Sequence, residues 1–398
     1  MRGPHLAAGL LLVAVVQSHA QTVDGAGLER ARALGVPFDG TAGPLNSITD
    51  VTGVEVGNTT LVSGDNNSPA KEPVVRTGVT AVLPRGKANN DPVYAAWFSQ
   101  NGNGEMTGTT WIEESGFLEG PVALTNTHSV GVVRDAIIAW SLRHQQAKET
   151  WSLPVVAETF DGWLNDINGF HVKAEDLFHA LDSAHAGPVP EGNVGGGTGM
   201  VCYGFKGGVG TSSRVLAQAD GGYTVGVLVQ CNCGRRPQLT IAGVPVGREI
   251  PDSVPYARSV PPPPGNDTEG DVGSIIIVVA TDAPLLPHQL KRLARRATMG
   301  LARTGSTSGN SSGDIFLAFS TANPHADRVP GPNEVLTVSD ERISPLFTAT
   351  VEATEEAIVN AMVGARTMTG RDGHTVIQLP HAELQDALKK YDRLRKTE

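Results

Sequence analysis

The stretch Asp271-Val272-Gly273-Ser274-Ile275-Ile276-Ile277-Val278-Val279-Ala280-Thr281-Asp282 decides how the chain is read. Its β-branched apolar run predicts a strand buried on both faces. Before it, Pro255 to Gly270 includes four consecutive prolines, Pro261 to Pro264, and reads as an exposed, irregular loop. Gly273-Ser274 therefore stands where a loop meets a core strand. Scission of that peptide bond would leave Ser274 as a chain terminus anchored in a sheet. Its hydroxyl would then lie beside its own α-amine, whose unperturbed pKa is about 7.7–8.0. A neutral amine next to a hydroxyl is a nucleophile with a base attached. Taken alone, Gly-Ser is only the start of a strand, so its weight comes from the rest of the chain.

Upstream, Met1-Arg2 precedes an apolar run, Leu6 to Val16, too short to cross a bilayer. Ser18-His19-Ala20 follows as a small-x-small cleavage site. Residues 1–20 thus read as a secretory signal peptide, and the mature protein is expected to be periplasmic or secreted, with no membrane attachment. The net charge is −10, and loss of Arg2 with the leader makes the chain one unit more acidic. An acidic chain without basic clusters argues against nucleic-acid partners. Three cysteines, Cys202, Cys231 and Cys233, form neither a disulfide framework nor a zinc site. Cys231 and Cys233, on one strand, are read as pointing to opposite faces. A bond from Cys202 to either of them and three unbonded thiols both remain open.

Strands are expected over Ile48–Gly57, Thr77–Leu83, Tyr94–Phe98 and Leu118–Asn126, and a helix over Val130–His144. Asn101 to Gly108 is a Gly/Asn-rich turn without the Lys-Ser/Thr finish of a phosphate loop. Pro154 to Asp166 reads as a strand opening into a turn that holds Glu158, Asp161 and Asp166 near Phe160 and Trp163. Carboxylates beside aromatics at a strand end suit a substrate ammonium, and equally describe an acidic surface loop. A helix is expected over Ala174–Ala186, then a meander of Gly199–Lys206 and Gly222–Gln230. Asn232, at the end of that meander, is a candidate amide donor to an oxyanion.

In the C-terminal part, Pro287–Arg303 carries Leu290, Leu293, Ala294, Ala297 and Leu301 on one helical face. A polar, Gly-rich loop, Gly305 to Asp314, leads into a strand over Ile315–Asn323. Ser312 and Asp314 lie two apart at its entry, so a hydroxyl is backed by a carboxylate able to orient a nucleophile and relay protons. A closing helix over Glu352–Thr367, a strand over Thr375–Leu379 and a helix over His381–Lys396 complete the reading.

Five blocks now stand in order: Val156-Ala157-Glu158-Thr159-Phe160-Asp161-Gly162, Gly195-Gly196-Gly197-Thr198-Gly199-Met200, Val227-Leu228-Val229-Gln230-Cys231-Asn232, Gly273-Ser274-Ile275-Ile276 and Ser312-Gly313-Asp314-Ile315-Phe316. Together they resemble the L-aminopeptidase/D-esterase and beta-peptidyl aminopeptidase family, from about Gly43 to His381. The resemblance implies an α/β fold of four layers, an αββα sandwich like that of N-terminal nucleophile hydrolases. It implies a precursor that cuts itself between Gly273 and Ser274 into an α chain, 21–273, and a β chain, 274–398, sharing one sandwich. It assigns Ser274 as nucleophile, Ser312 and Asp314 as its assisting pair, Asn232 as oxyanion donor, and Glu158, with Phe160, as the substrate-binding residues. Asp314 stands where beta-peptidases often carry Glu, and Phe160 where relatives carry a larger or hydroxylated aromatic. No metal or organic cofactor is implied, and a homo-oligomer of αβ units is.

The expected activity is removal of N-terminal residues, β-amino acids or small L- or D-residues, from short peptides, amides and esters. A self-cleaving acyltransferase of the ornithine acetyltransferase type is the alternative, although those relatives use Thr where this chain offers Ser274. A non-enzymatic periplasmic binding protein is the third reading.

Overall fold

The computed structural model describes residues 30–66, 72–144, 151–250, 273–327 and 331–395. The leader 1–20 and the proline-rich loop 255–270 lie outside these residues. Four strands form one sheet: Glu55–Ser63 (β1), Val75–Leu83 (β2), Val122–Asn126 (β5) and Val155–Thr159 (β6), in the order β1-β2-β5-β6. The second sheet has six: Val93–Gly102 (β3), Phe117–Leu118 (β4), Gly208–Val215 (β9), Thr224–Asn232 (β10), Ser274–Thr281 (β11) and Gly313–Ser320 (β12). Their order is β4-β3-β12-β11-β10-β9. Short hairpins pair Val201–Cys202 (β7) with Phe205–Lys206 (β8), and Met368–Thr369 (β13) with Thr375–Val376 (β14).

Among the described residues two neighbouring pairs run parallel, β5 with β6 and β11 with β12. A parallel pair needs a crossover rather than a hairpin. Each crossover contains a helix, Val130–Arg143 (α2) in the first and Pro287–Arg303 (α5) in the second. The other α-helices among the described residues are Thr109–Ser115 (α1), Ala174–Ser183 (α3), Val246–Glu249 (α4), Ser344–Val363 (α6) and His381–Lys390 (α7).

Alternation along the strands sorts the apolar residues into three layers of core. Ile276, Val278, Leu228 and Leu317 meet Val56, Val82, Leu124 and Ala157 between the sheets. Ile275, Ile277, Val279 and Val227 face Leu293, Ala297, Ala357 and Ile358 of α5 and α6. Val79, Ala123 and Val156 face Val133, Ile137, Leu177 and Leu181 of α2 and α3. The result is the expected αββα sandwich. Strand β11, buried over its whole length on both faces, is the expected central element.

Several local expectations change. The strand expected over Leu118–Asn126 is two, Phe117–Leu118 (β4) and Val122–Asn126 (β5), in different sheets, because Gly120-Pro121 turns the chain between them. Ile48–Asp50 is a 3₁₀ turn capped by Ser47, and the strand begins only at Glu55. The neighbour of β10 is Gly208–Val215, not Gly199–Lys206. Its sequence, GVGTSSRV, hides a strand behind small and polar residues, because its backbone is buried beneath α6. The closing helix starts at Ser344, eight residues before Glu352, with Pro345 in its first turn, where a missing N–H costs no helical bond. Thr350, polar in sequence, is buried within it and satisfies its hydroxyl on the Leu346 carbonyl.

Small residues on β9 let α6 approach. A Cβ on Gly210 would lie 2.1 Å from the Ala357 carbonyl oxygen and 2.5 Å from the Ala361 nitrogen, both helix backbone. Gly210→Ala must therefore push α6 off the sheet. We expect a lower melting temperature, on the order of 1–3 kcal/mol of lost stability, with unchanged far-UV circular dichroism. An unchanged melting temperature in calorimetry would contradict this packing.

Candidate active site

Ser274 is the first residue of β11 and is 7% exposed. Antiparallel register puts it directly opposite Asn232, the last residue of β10. Directly opposed side chains share a face and stand close together. Asn232 accepts the Val201 backbone N–H at 2.8 Å on its Oδ1. That bond settles which end of the amide is which, and leaves the NH₂ group as the end able to donate.

On the other side, parallel register sets Ser274 against Gly313. The Gly313 N–H is shared: it donates to Ser274 Oγ at 3.2 Å and to the Gly273 carbonyl at 3.2 Å. Flanking Gly313, Ser312 donates its hydroxyl to Asp314 Oδ1, both side chains fully buried. Sequence spacing had suggested that this pair faces one way, and it does. Gly273 itself is hemmed in: a Cβ there would lie 2.4 Å from the Asn232 carbonyl oxygen and 2.5 Å from Cys233 Cα. A larger residue ahead of Ser274 would not fit.

Glu158 arrives from the other sheet, near the end of β6. Gly104 bridges the gap, since a Cβ there would be 3.3 Å from Glu158 Oε1 and 3.2 Å from Gly313 Cα. The Glu158 carboxylate accepts the Glu105 N–H at 3.0 Å and the Thr127 hydroxyl. Burial raises its pKa. The bonds from Thr127 and Glu105 and the nearby His128 pull it back, while the charge of Glu105 adds to the rise. Phe160 follows the strand and is 53% exposed, an open apolar face just beyond Glu158.

The other residues of that turn do not join Glu158. Asp166 binds His171 at 2.9 Å, and Trp163 stacks on His374 with ring centroids 3.9 Å apart. Asp161 is wholly buried and accepts from Asn165 at 3.1 Å, with its pKa raised by burial to about 6. Its charge opposes the burial that lowers Lys206, also wholly inside, to about 7.

Several contributors gave no sequence signal. Asn101 and Asn103 belong to the turn first considered for anions. They instead donate to the carbonyls of Ser308, Gly309 and Ser311, and so fasten the Ser-rich loop that carries Ser312. Thr127, just past the end of an expected strand, carried no signal of its own. The apposition of Asn232 and Ser274 had a signal in each strand separately, but none for their pairing.

The cysteines need a correction. Residues two apart on a strand share a face, and the sulfurs of Cys231 and Cys233 lie 3.8 Å apart. A disulfide joins Cys202 to Cys231. Among the described residues these three make the one cluster with metal-ligand geometry, and two of its sulfurs are engaged with each other. Peptide mapping without reductant should return a Cys202–Cys231 cross-link and a thiol at Cys233 that alkylates only after unfolding. A Cys202–Cys233 cross-link would contradict this assignment.

A serine opening a central strand of an αββα sandwich, with an Asn amide opposite it and a buried carboxylate from the facing sheet, has the architecture of a class: the hydrolases of the N-terminal-nucleophile fold. More narrowly, the chain belongs to peptidase family S58, whose model matches residues 46–376. It is 53% identical over 399 residues to beta-peptidyl aminopeptidase BapA of Sphingosinicella microcystinivorans, covering 99% of this chain and 98% of that one. The L-aminopeptidase D-Ala-esterase/amidase of Ochrobactrum anthropi superimposes with a TM-score of 0.83 at 48% identity, over 92% of this chain and 99% of that chain. A Burkholderia sp. beta-aminopeptidase does so with a TM-score of 0.81 at 48% identity, over 91% and 99%. The chain is thus a peptidase of the aminopeptidase kind.

Proposed function

We propose that this protein is an exported serine aminopeptidase that activates itself by cutting between Gly273 and Ser274. The observation that carries this reading is the shared Gly313 N–H, which touches both the Ser274 hydroxyl and the Gly273 carbonyl. That contact polarises the bond to be cut and holds the attacking oxygen beside it. Attack by Ser274 Oγ on the Gly273 carbonyl transfers the Gly273 acyl group from nitrogen to oxygen. The hydroxyl proton passes to the departing nitrogen. Water then hydrolyses the ester, leaving a Gly273 carboxylate and the Ser274 α-amine.

In the mature enzyme the α-amine takes the Ser274 hydroxyl proton as attack on the substrate carbonyl begins. The Asn232 amide donates to the oxyanion, an interaction that strengthens as charge develops. Ser312, backed by Asp314, lies beside the Ser274 backbone, suited to orient the amine and pass its proton to the leaving group. Glu158 anchors the substrate ammonium. This anchor restricts cleavage to the first residue, because only a chain terminus carries a cation there. Phe160 meets the side chain of that residue.

Short peptides, amides and esters with β-amino acids or small L- or D-residues at the N-terminus fit the site. The names of the relatives support β-residues first. The two chains, 21–273 and 274–398, remain one sandwich after the cut, because β11 is sealed between β10 and β12. An oligomer of such αβ units is part of the same reading.

Wild-type protein should run as two fragments on a denaturing gel, with Ser274 at the new N-terminus. Ser274→Ala should run as one band and hydrolyse no substrate in a panel of β-alanyl, D-alanyl and L-aminoacyl anilides. Full turnover by an uncut Ser274→Ala protein would refute the mechanism. Because Glu158 binds an ammonium only when ionised and its pKa is raised, KM should increase as pH falls through a value above the ordinary glutamate 4.5. Glu158→Gln should remove that dependence and raise KM roughly tenfold or more. A Gln variant with the wild-type KM profile would show that another group holds the amine.

A further inference from the structure

Lys206 is the one lysine among the described residues with no exposure to solvent. Its ammonium has three N–H bonds, and each has an acceptor. These are the carbonyls of Met200 at 2.8 Å, Gly207 at 2.8 Å and Gly197 at 3.3 Å. All three acceptors are backbone. A buried cation is costly unless its hydrogen bonds are filled, and here they are filled without a directly bonded carboxylate. An apolar side chain would occupy the same space without that penalty.

The Met200 carbonyl points to what the charge does. It belongs to the same rigid peptide plane as the Val201 N–H, and that N–H donates to Asn232 Oδ1 at 2.8 Å. The chain of contacts therefore runs from the Lys206 ammonium through the Met200–Val201 peptide to the Asn232 amide. Asn232 stands opposite Ser274. Each amide in such a chain is polarised by the one before it. A cation on the first carbonyl makes the Val201 N–H a stronger donor. That in turn makes the Asn232 NH₂ a stronger donor toward an oxyanion.

The geometry points to Lys206 as a positioning residue that orients and polarises the Asn232 oxyanion donor through the Met200–Val201 peptide. It touches neither substrate nor Ser274, and acts only through Asn232. Its charge is placed where negative charge develops during acyl transfer, at a distance of two amide groups. The Thr159 hydroxyl, donating to Met200 Sδ at 2.8 Å, and the Gly207 N–H, donating to the Met200 carbonyl at 3.0 Å, hold the same residue from other sides. The Gly-rich block before Met200 takes its place here: Gly197 supplies one of the three carbonyls, in a turn where the lysine head group can approach the backbone closely.

This inference rests on the reading of Asn232 as oxyanion donor, and the test separates the two. Lys206→Met and Asn232→Ala are measured singly and together on one anilide substrate, with self-cleavage and thermal unfolding followed in parallel. Lys206→Met is expected to lower kcat about tenfold or more, part of the roughly 10²–10³-fold loss typical of a deleted oxyanion donor, with KM changed less than about twofold. In the Asn232→Ala background the same change should leave kcat nearly untouched, because the group it acts through is gone. Should Lys206→Met fail to mature, Lys206→Gln keeps two N–H donors for the carbonyls, removes the charge, and takes its place in the cycle. Equal losses of kcat in both backgrounds would overturn the proposal and leave Lys206 a structural residue. Wild-type kcat in Asn232→Ala alone would instead overturn the oxyanion reading itself.

Discussion

The antiparallel register between β10 and β11 is the constraint on which the site depends. It sets Asn232 opposite Ser274, at the point where both strands end. A slip of β11 by one residue would turn its side chains to the other face and carry Ser274 away from Asn232. The register is held because each face of β11 is buried in a different core, Ile276 and Val278 between the sheets and Ile275 and Ile277 against the helices. A strand buried along its whole length thus begins with Ser274, the residue proposed as nucleophile. Rigidity there is a requirement of the chemistry, since an amide donor stabilises an oxyanion only if it is already aimed.

Parallel pairing of β11 with β12 supplies the second side of the site. A parallel neighbour places Gly313 beside Ser274, and glycine there lets Asn103 and Gly104 pass across it. A Cβ on Gly313 would lie 2.3 Å from the Asn103 carbonyl oxygen. This close passage brings the β3 turn over the sheet edge. The same turn offers the Glu105 N–H to Glu158 on the opposite sheet. Ser274 and Asn232 on one sheet and Glu158 on the other thus come together, and the inter-sheet core fixes their spacing.

Polar burial concentrates around this point. Glu158, Asp161, Asn126, Gln230, Lys206, Ser312 and Asp314 are all buried. Away from the site, the buried charges are organised as ion pairs, such as Arg214 with Glu356 at 2.8 Å. Near it, neutral side chains and backbone groups supply the hydrogen bonds, with backbone carbonyls alone at Lys206. Backbone dipoles can orient a charge without neutralising it, which is the condition under which a charge still acts on its surroundings.

How much of this was legible in the chain follows from how local each signal was. The strand at Ile275, the helix at Pro287, the Ser312–Asp314 pair and the carboxylate at Glu158 are each written within a few residues, by periodicity or spacing. The ordered blocks then implied the family, and the family model matches residues 46–376. What stayed hidden was non-local or masked by composition. Strand β9 is made of Gly, Val, Thr, Ser and one Arg, and becomes a strand because α6 covers it. Asn101 and Asn103 look like turn residues until the Ser-rich loop folds onto them. Lys206 looks like a surface lysine until three carbonyls converge on its ammonium. Sequence alone determined which side chains are candidates for the chemistry, because reactivity belongs to residue types. Tertiary structure alone decided which of them meet, because hydrogen-bond distance is set by register and packing between segments far apart in the chain.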